Sequence, residues 1–372
     1  MKYIFFGTPE FAVIILKALM DAGYTPTLVV AAPDKPKGRG RALAPPPVKT
    51  LAEQYGIPII QPATLKDAET TQTIAALEPD LFIVAAYGAI IPKILLDIPK
   101  KGGLNIHPSL LPKYRGPSPV QAAILHGDET TGVTIILMDE KMDHGPILAQ
   151  RELTPNIQCF SPTLNVGRCP TAEELSVKLA NLGAQLLIET IPKWLAAKIV
   201  PQPQDHHKTT YTKLITKEDG RIDWRKSAEE IERMVRAYTP WPSAWTIMSN
   251  TKGLTKKQVR VKILRASLPS HIDISKCRNI GKSKYRGVEK SKNRNFEKEE
   301  EKILPGAIIK QKSDPPTGRA GLLVACGDGL LHIEQLHIEG NKPMSGMEFL
   351  NGYPFARLFF SALPEDPLQP FQ

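Results

Sequence analysis

Tyr3-Ile4-Phe5-Phe6-Gly7-Thr8-Pro9-Glu10-Phe11-Ala12 changes period in its middle. Tyr3 to Phe6 is apolar on both faces, as a strand covered by helices on both sides would be. Gly7 and Pro9 interrupt it, and a helical pattern then runs from Phe11 to Asp21. The alternation continues outward from there. Thr27 to Ala31, Leu81 to Ala86, Gly103 to His107 and Gly132 to Met138 read as strands. Val48 to Tyr55, Ala68 to Leu77 and Val120 to His126 read as helices. Strand and helix in series predict an α/β fold, a doubly wound and mostly parallel Rossmann-like sheet. Such folds bind ligands beyond the carboxyl ends of their strands, so polar residues there become candidates. The Gly7-Thr8-Pro9 turn lacks the further glycines that bring backbone close to a pyrophosphate, so NAD is not expected.

Beyond the sheet, Thr171 to Ala197 has helical spacing, with Leu175, Leu179, Leu182 and Leu186 on one stripe and Pro192 near its end. Residues 1–200 are therefore expected to form one domain. The polar, proline-rich stretch that follows, Pro201-Gln202-Pro203-Gln204-Asp205-His206-His207, reads as the start of a linker over 201–216. Residues 217–372 carry one amphipathic helix, Ala228 to Tyr238. Short β-like runs follow at Val259 to Leu264, Ala307 to Lys310, Gly321 to Ala325 and Leu330 to Leu336. That pattern predicts a second, smaller β domain, a barrel.

The chain's net charge of +10 points to an anionic partner, nucleic acid first. Half of it sits in Lys276 to Lys302, within an apparent insertion at 268–303. Lys276 to Lys302 holds ten Lys or Arg against five Glu, a net of +5, and reads as a mobile surface loop, with a direct RNA contact as the alternative. A second apparent insertion, Pro155 to Pro170, has no clear period. The four cysteines show neither a paired motif nor metal-ligand spacing, which fits a reduced, cytoplasmic protein without a metal. No apolar run reaches membrane-spanning length.

Asn105 and His107 alternate along one predicted strand and so share a side, at its carboxyl end. The stiff loop Pro108-Ser109-Leu110-Leu111-Pro112 follows. One strand later comes Met142-Asp143-His144-Gly145-Pro146, and Asp143 there can orient or charge an imidazole, provided the two strands are neighbours. His126 and His144 read as structural or exposed.

Asn105-Ile106-His107-Pro108-Ser109-Leu110-Leu111-Pro112, with Asp143 one strand on, resembles the signature of the folate-dependent formyltransferases. The resemblance implies that Asn105, His107 and Asp143 are catalytic and that Ser109, Leu110, Leu111 and Pro112 contact the tetrahydrofolate carrier. It implies 10-formyltetrahydrofolate as co-substrate, with neither metal nor NAD. Gly7 to Ala12, the loop Pro33 to Lys49, Arg221-Ile222-Asp223-Trp224 and Arg236 to Pro242 are similar to the methionyl-tRNA branch. That branch implies an oligonucleotide-binding (OB-like) second domain and initiator methionyl-tRNA as the formyl acceptor. It also implies that Phe11 helps house the methionine side chain. Lys35, Lys37, Arg39 and Arg41 stand in a basic, glycine-containing loop that can grip RNA through phosphates and base edges. A monomer is expected. An amino sugar, a purine precursor or water is the competing acceptor, and an RNA-binding module on a dead catalytic fold is the competing class.

Overall fold

The computed structural model describes residues 1–37, 42–154, 169–250, 257–269, 278–279, 305–310, 322–353 and 358–360. Two compact units divide between Leu214 and Ile215. The first begins with β1 (Tyr3–Gly7), α1 (Glu10–Asp21), β2 (Leu28–Val30), β3 (Lys35–Lys37), β4 (Ala42–Ala44), α2 (Pro47–Gln54) and β5 (Ile59–Ile60). It continues with α3 (Ala68–Ala75), β6 (Leu81–Ala85), α4 (Lys93–Leu96), β7 (Gly103–His107) and α5 (Pro119–His126). It closes with β8 (Thr131–Leu137), β9 (Ile147–Leu153) and α6 (Ala172–Leu195). The main sheet has the order β5-β2-β1-β6-β7-β8-β9. Its first five strands are parallel, while β8 and β9 run antiparallel.

Every residue of β1 and of β6 is buried, which is why both read as unbroken apolar runs. The α1 stripe of Phe11, Ala12, Ile15, Leu16 and Leu19 is buried, and α1 packs against α6. Burying each of the larger of these side chains stabilises the unit by about 1.5–3 kcal/mol. A capping box in which Thr171 and Glu174 satisfy each other's backbone N–H groups starts α6.

Three features differ from the sequence reading. The basic stretch after Pro33 is not wholly loop, since β3 and β4 pair as an antiparallel hairpin whose tip, 38–41, lies outside the described residues. The hairpin's base is tied down because Asp34 accepts from Gln61 Nε2 at 2.7 Å and from Lys49 Nζ at 3.0 Å. Those two donors hold the Asp34 carboxyl below its ordinary range. Lys49 is thereby occupied by protein. Secondly, the strand β9, Ile147-Leu148-Ala149-Gln150-Arg151-Glu152-Leu153, goes unseen in the sequence because, as a sheet edge, it carries charge. Thirdly, the residues read as a linker are laid along the first unit. Gln202 and Ile147 exchange backbone hydrogen bonds of 2.7 and 2.8 Å, and Arg115 does the same with Thr210 and Thr212 at 2.9 and 2.7 Å. Polar composition here serves protein partners instead of water.

The second unit has α7 (Ala228–Ala237), β10 (Ala244–Asn250), β11 (Lys257–Ser267), β12 (Arg278–Asn279), β13 (Ile308–Lys310) and β14 (Leu322–Ala325). After these come β15 (Leu330–Ile338), β16 (Met344–Ser345), α8 (Gly346–Gly352) and β17 (Leu358–Phe360). Its strands form a curled antiparallel sheet, β12-β13-β14-β15-β11-β10-β17, with β16 beside β15. A register shift in β11 between Ile263 and Ala266 gives the curl a local kink. The bulk of both insertions, 155–168 and 280–304, lies outside the described residues. Cys169 is disulfide-bonded, which departs from the expected reduced state, whereas Cys326 is free and buried. Among the described residues no helix is long and apolar enough to cross a membrane.

Candidate active site

Asn105 and His107 point to one side of β7, as their spacing requires, and β8 is the antiparallel neighbour of β7. The carboxyl end of β8 lies beside the amino end of β7, with Leu137 opposite Leu104, and the segment Met138 to Pro146 runs back along β7 and delivers Asp143. Asp143 Oδ1 lies 3.2 Å from Asn105 Nδ2 and 3.5 Å from His107 Nδ1. Its Oδ2 accepts the Gly116 N–H at 2.8 Å. Gly116 has φ +109, a conformation open to glycine, and a Cβ there would press on the Thr212 backbone. Asp143 itself is left-handed, at φ +50.

The far side of the imidazole is equally defined. His107 Nε2 lies 2.9 Å from the Tyr114 carbonyl oxygen, and a carbonyl only accepts, so the ring carries its hydrogen on Nε2. Nδ1 then faces Asp143. Tyr114 is held at φ +64 by its N–H donating to Thr210 Oγ1 at 2.8 Å. Burial, reinforced by Asp128, pushes ionisation of the Tyr114 phenol upward, so it stays neutral.

A cleft of about 500 Å³ opens over these groups. One wall is Ala86 to Ile91, the other Met138 to Asp143, and the floor includes Asn105, His107 and Pro108. The Ala86–Ile91 wall was missed in the sequence. It follows the carboxyl end of β6, beside β7, where the strand-end rule already points. Ile90 is 77% exposed and Met142 50%, so the mouth presents apolar surface.

The other candidates lie elsewhere. Ser109, Leu110, Leu111 and Pro112 are not among the residues lining the cleft. Ser109 and Leu111 are buried, because Thr134 gathers their backbone: its Oγ1 donates to Ser109 O at 2.7 Å and accepts from Leu111 N at 3.1 Å. Gln150 Nε2 adds a donor to the same hydroxyl at 2.8 Å. Thr134→Val leaves these buried groups unmet and is expected to lower stability by about 2–3 kcal/mol, read from urea unfolding. Unchanged stability would mean that the hydroxyl network contributes nothing. Phe11 is a buried residue of α1 and does not line the cleft. Lys35 is exposed on the hairpin, Lys37 ends β3, and Arg39 and Arg41 lie outside the described residues. His126 Nδ1 bonds the Ala122 carbonyl of its own helix at 2.8 Å, and His144 pairs with Asp139 at 2.6 Å while stacking on His206. Among the described residues no group of three or more His, Cys, Asp or Glu could hold a metal ion.

The sequence matches two family models, described as formyl transferase over residues 1–191 and formyl transferase, C-terminal domain, over 214–354. A methionyl-tRNA formyltransferase of Chloroflexus aggregans is 51% identical over 248 residues, 66% of this chain and 76% of that one. One from Chloroflexus aurantiacus is 39% identical across 95% of this chain and 97% of its own. An N-formyltransferase from Helicobacter canadensis, solved with folinic acid and dTDP-3-aminofucose, superposes with TM-score 0.53 at 18% identity. That match covers 90% of this chain and 98% of the other, and it is a likeness of fold. Matched by both models and by relatives along nearly its whole length, the chain belongs to the formyl transferase family, on its methionyl-tRNA formyltransferase branch.

Proposed function

We propose that this chain moves the formyl group of 10-formyltetrahydrofolate onto the free amino group of initiator methionyl-tRNA, with Asn105, His107 and Asp143 at the reacting atoms. The observation that carries the reading is the convergence of Asn105 and His107 on one carboxylate oxygen of Asp143, at 3.2 and 3.5 Å, on the floor of a cleft. The amine nitrogen bonds to the formyl carbon, the bond from that carbon to folate N10 breaks, and N10 takes up a proton. Each step finds a group. Asn105 spends one amide N–H on Asp143 and has a second for the formyl oxygen as negative charge develops there. His107 Nδ1 takes the proton that the amine sheds, and Asp143 stabilises the resulting imidazolium. The neutral tautomer this needs is the one that the Tyr114 carbonyl selects.

The cleft fits a flat, partly apolar carrier between the Ala86–Ile91 and Met138–Asp143 walls. In this reading Ser109, Leu110, Leu111 and Pro112 serve the folate from beneath, by shaping the floor at Pro108. Phe11 remains our candidate for the methionine side chain. Arg39 and Arg41, with Lys35 and Lys37, are the proposed RNA grip on the β3–β4 hairpin, and the chain acts as a cytoplasmic monomer. The net charge of +10 suits a polyanionic acceptor better than an amino sugar or water.

The direct test mixes the protein with labelled 10-formyltetrahydrofolate and charged initiator tRNA and follows label onto the tRNA. Release of free formate instead, or transfer only to small amines, would overturn the reading. Replacing Arg39 and Arg41 together by Ala is expected to weaken tRNA binding and leave folate binding intact. Each lost phosphate contact lowers the salt slope of affinity by about 0.7–0.9. An unaltered slope would put the RNA grip elsewhere.

A further inference from the structure

Gln204 lies in the stretch whose composition reads as linker, yet it is 5% exposed. Both ends of its side-chain amide are used. Oε1 accepts from Arg115 Nε at 3.2 Å and Nη2 at 2.7 Å. Nε2 donates to the backbone carbonyls of Asp143, at 2.9 Å, and Gly145, at 2.7 Å. A primary amide has two N–H donors and one oxygen with two lone pairs, so this one is used to capacity. Its orientation is also unambiguous, because a guanidinium only donates and a carbonyl only accepts. Arg115 is 2% exposed and makes no ion pair among the described residues; His206 Nδ1, at 3.0 Å, is its other side-chain partner. A buried charge-assisted bond of this kind is about twice as strong as a neutral one, so Oε1 is firmly anchored.

The anchored amide acts on one point, the left-handed turn at Asp143. Holding a non-glycine residue there costs about 1–3 kcal/mol and needs the surroundings to enforce it. Two grips do so: Gly116 N–H on the carboxylate at 2.8 Å and Gln204 on the carbonyl. If the carbonyl is released, the backbone can relax and the carboxylate swings away from Asn105 and His107.

We propose that Gln204 is a positioning residue for formyl transfer, clamping the Asp143 and Gly145 carbonyls to Arg115 so that the Asp143 carboxylate stays on Asn105 and His107. The inference rests on Asp143 acting in the reaction, as proposed above.

The experiment measures kcat and both KM values for the wild type, Gln204→Glu and Gln204→Met, each also combined with Asp143→Asn. Gln204→Glu keeps an acceptor for Arg115 but turns a second oxygen toward the two carbonyls. Its kcat is expected to fall about 10- to 100-fold, the range for a misplacement near 1 Å, with both KM values little changed. Gln204→Met loses both functions at similar volume and should fall at least as far. In the Asp143→Asn background neither change should slow transfer further, since residues acting through one another are non-additive. Wild-type kcat in Gln204→Glu would show that the side chain matters only to Arg115, and a full additional loss in the Asp143→Asn background would show that it acts elsewhere. Either overturns the proposal, as does failure of both single variants to fold, which would make Gln204 a purely structural clamp. A wild type that transfers no formyl group sinks the functional reading instead, and the two failures are thereby told apart.

Discussion

Asp143→Ala is expected to fold and to transfer formyl groups about 1000- to 10,000-fold more slowly, the upper part of the range for a positioned acid–base group. The reason is the number of groups that meet on this one side chain. Oδ1 faces Asn105 Nδ2 and His107 Nδ1, and Oδ2 holds the Gly116 N–H. Alanine frees Asn105 to rotate, removes the charge that stabilises imidazolium at His107, and leaves the Gly116 N–H unmet. The last of these lowers stability by about 1–3 kcal/mol. Asp143→Asn should also fail, because an amide offers one oxygen where two face donors. By comparison, Asn105→Ala removes a single donor and should cost about 100- to 1000-fold. Steady-state turnover with charged tRNA, alongside circular dichroism to verify folding, measures all three. Near-normal turnover in a folded Asp143→Ala protein would remove Asp143 from the mechanism.

Gly145→Ala is expected to cost more than any other single methyl addition near the site. A Cβ at position 145 would lie inside contact distance of the Leu137 carbonyl oxygen and 3.0 Å from its carbon. Both atoms are backbone of β8, so no side chain can turn aside. The Leu137 N–H also donates to Pro146 O at 2.9 Å, which ties the two segments at the point of collision. The clash must separate the end of β8 from the segment that presents Asp143. Stability should fall by about 3 kcal/mol, at the upper end for overpacking. Transfer should fall about 100-fold, as for a catalytic group displaced by 1 Å. Urea unfolding and turnover read the two effects separately, and wild-type values in both would show that the segment accommodates the methyl group.

Much of the first unit was legible because burial leaves a local record. Tyr3 to Phe6 and Leu81 to Ala85 are covered on both faces, so every residue is apolar and period alone announces a central strand. The period of two on β7 likewise put Asn105 and His107 on one side before any partner was known. Where burial is one-sided or partial the record fades. The charges of β9 hid a sheet edge, and the hairpin β3–β4 carries exposed, basic or small residues that no core selects.

By itself, then, the sequence determined the α/β class, the family, the placing of Asn105 and His107 on one side of β7 and the basic character of the chain. Only the tertiary structure decided how those residues meet Asp143. β8 ends beside the amino end of β7, and the segment Met138 to Pro146 folds back to set Asp143 on His107, although 36 positions separate them in the chain. The Tyr114 carbonyl sets the imidazole's tautomer, the Ala86–Ile91 wall closes one side of the cleft, and Gln204 arrives from a stretch whose polarity mimics a solvated linker. The physical reason is that periodicity records how deeply a residue is buried, while hydrogen-bond partners far apart in the chain leave no local pattern: a polar side chain facing water and one facing a buried carbonyl are written with the same letter.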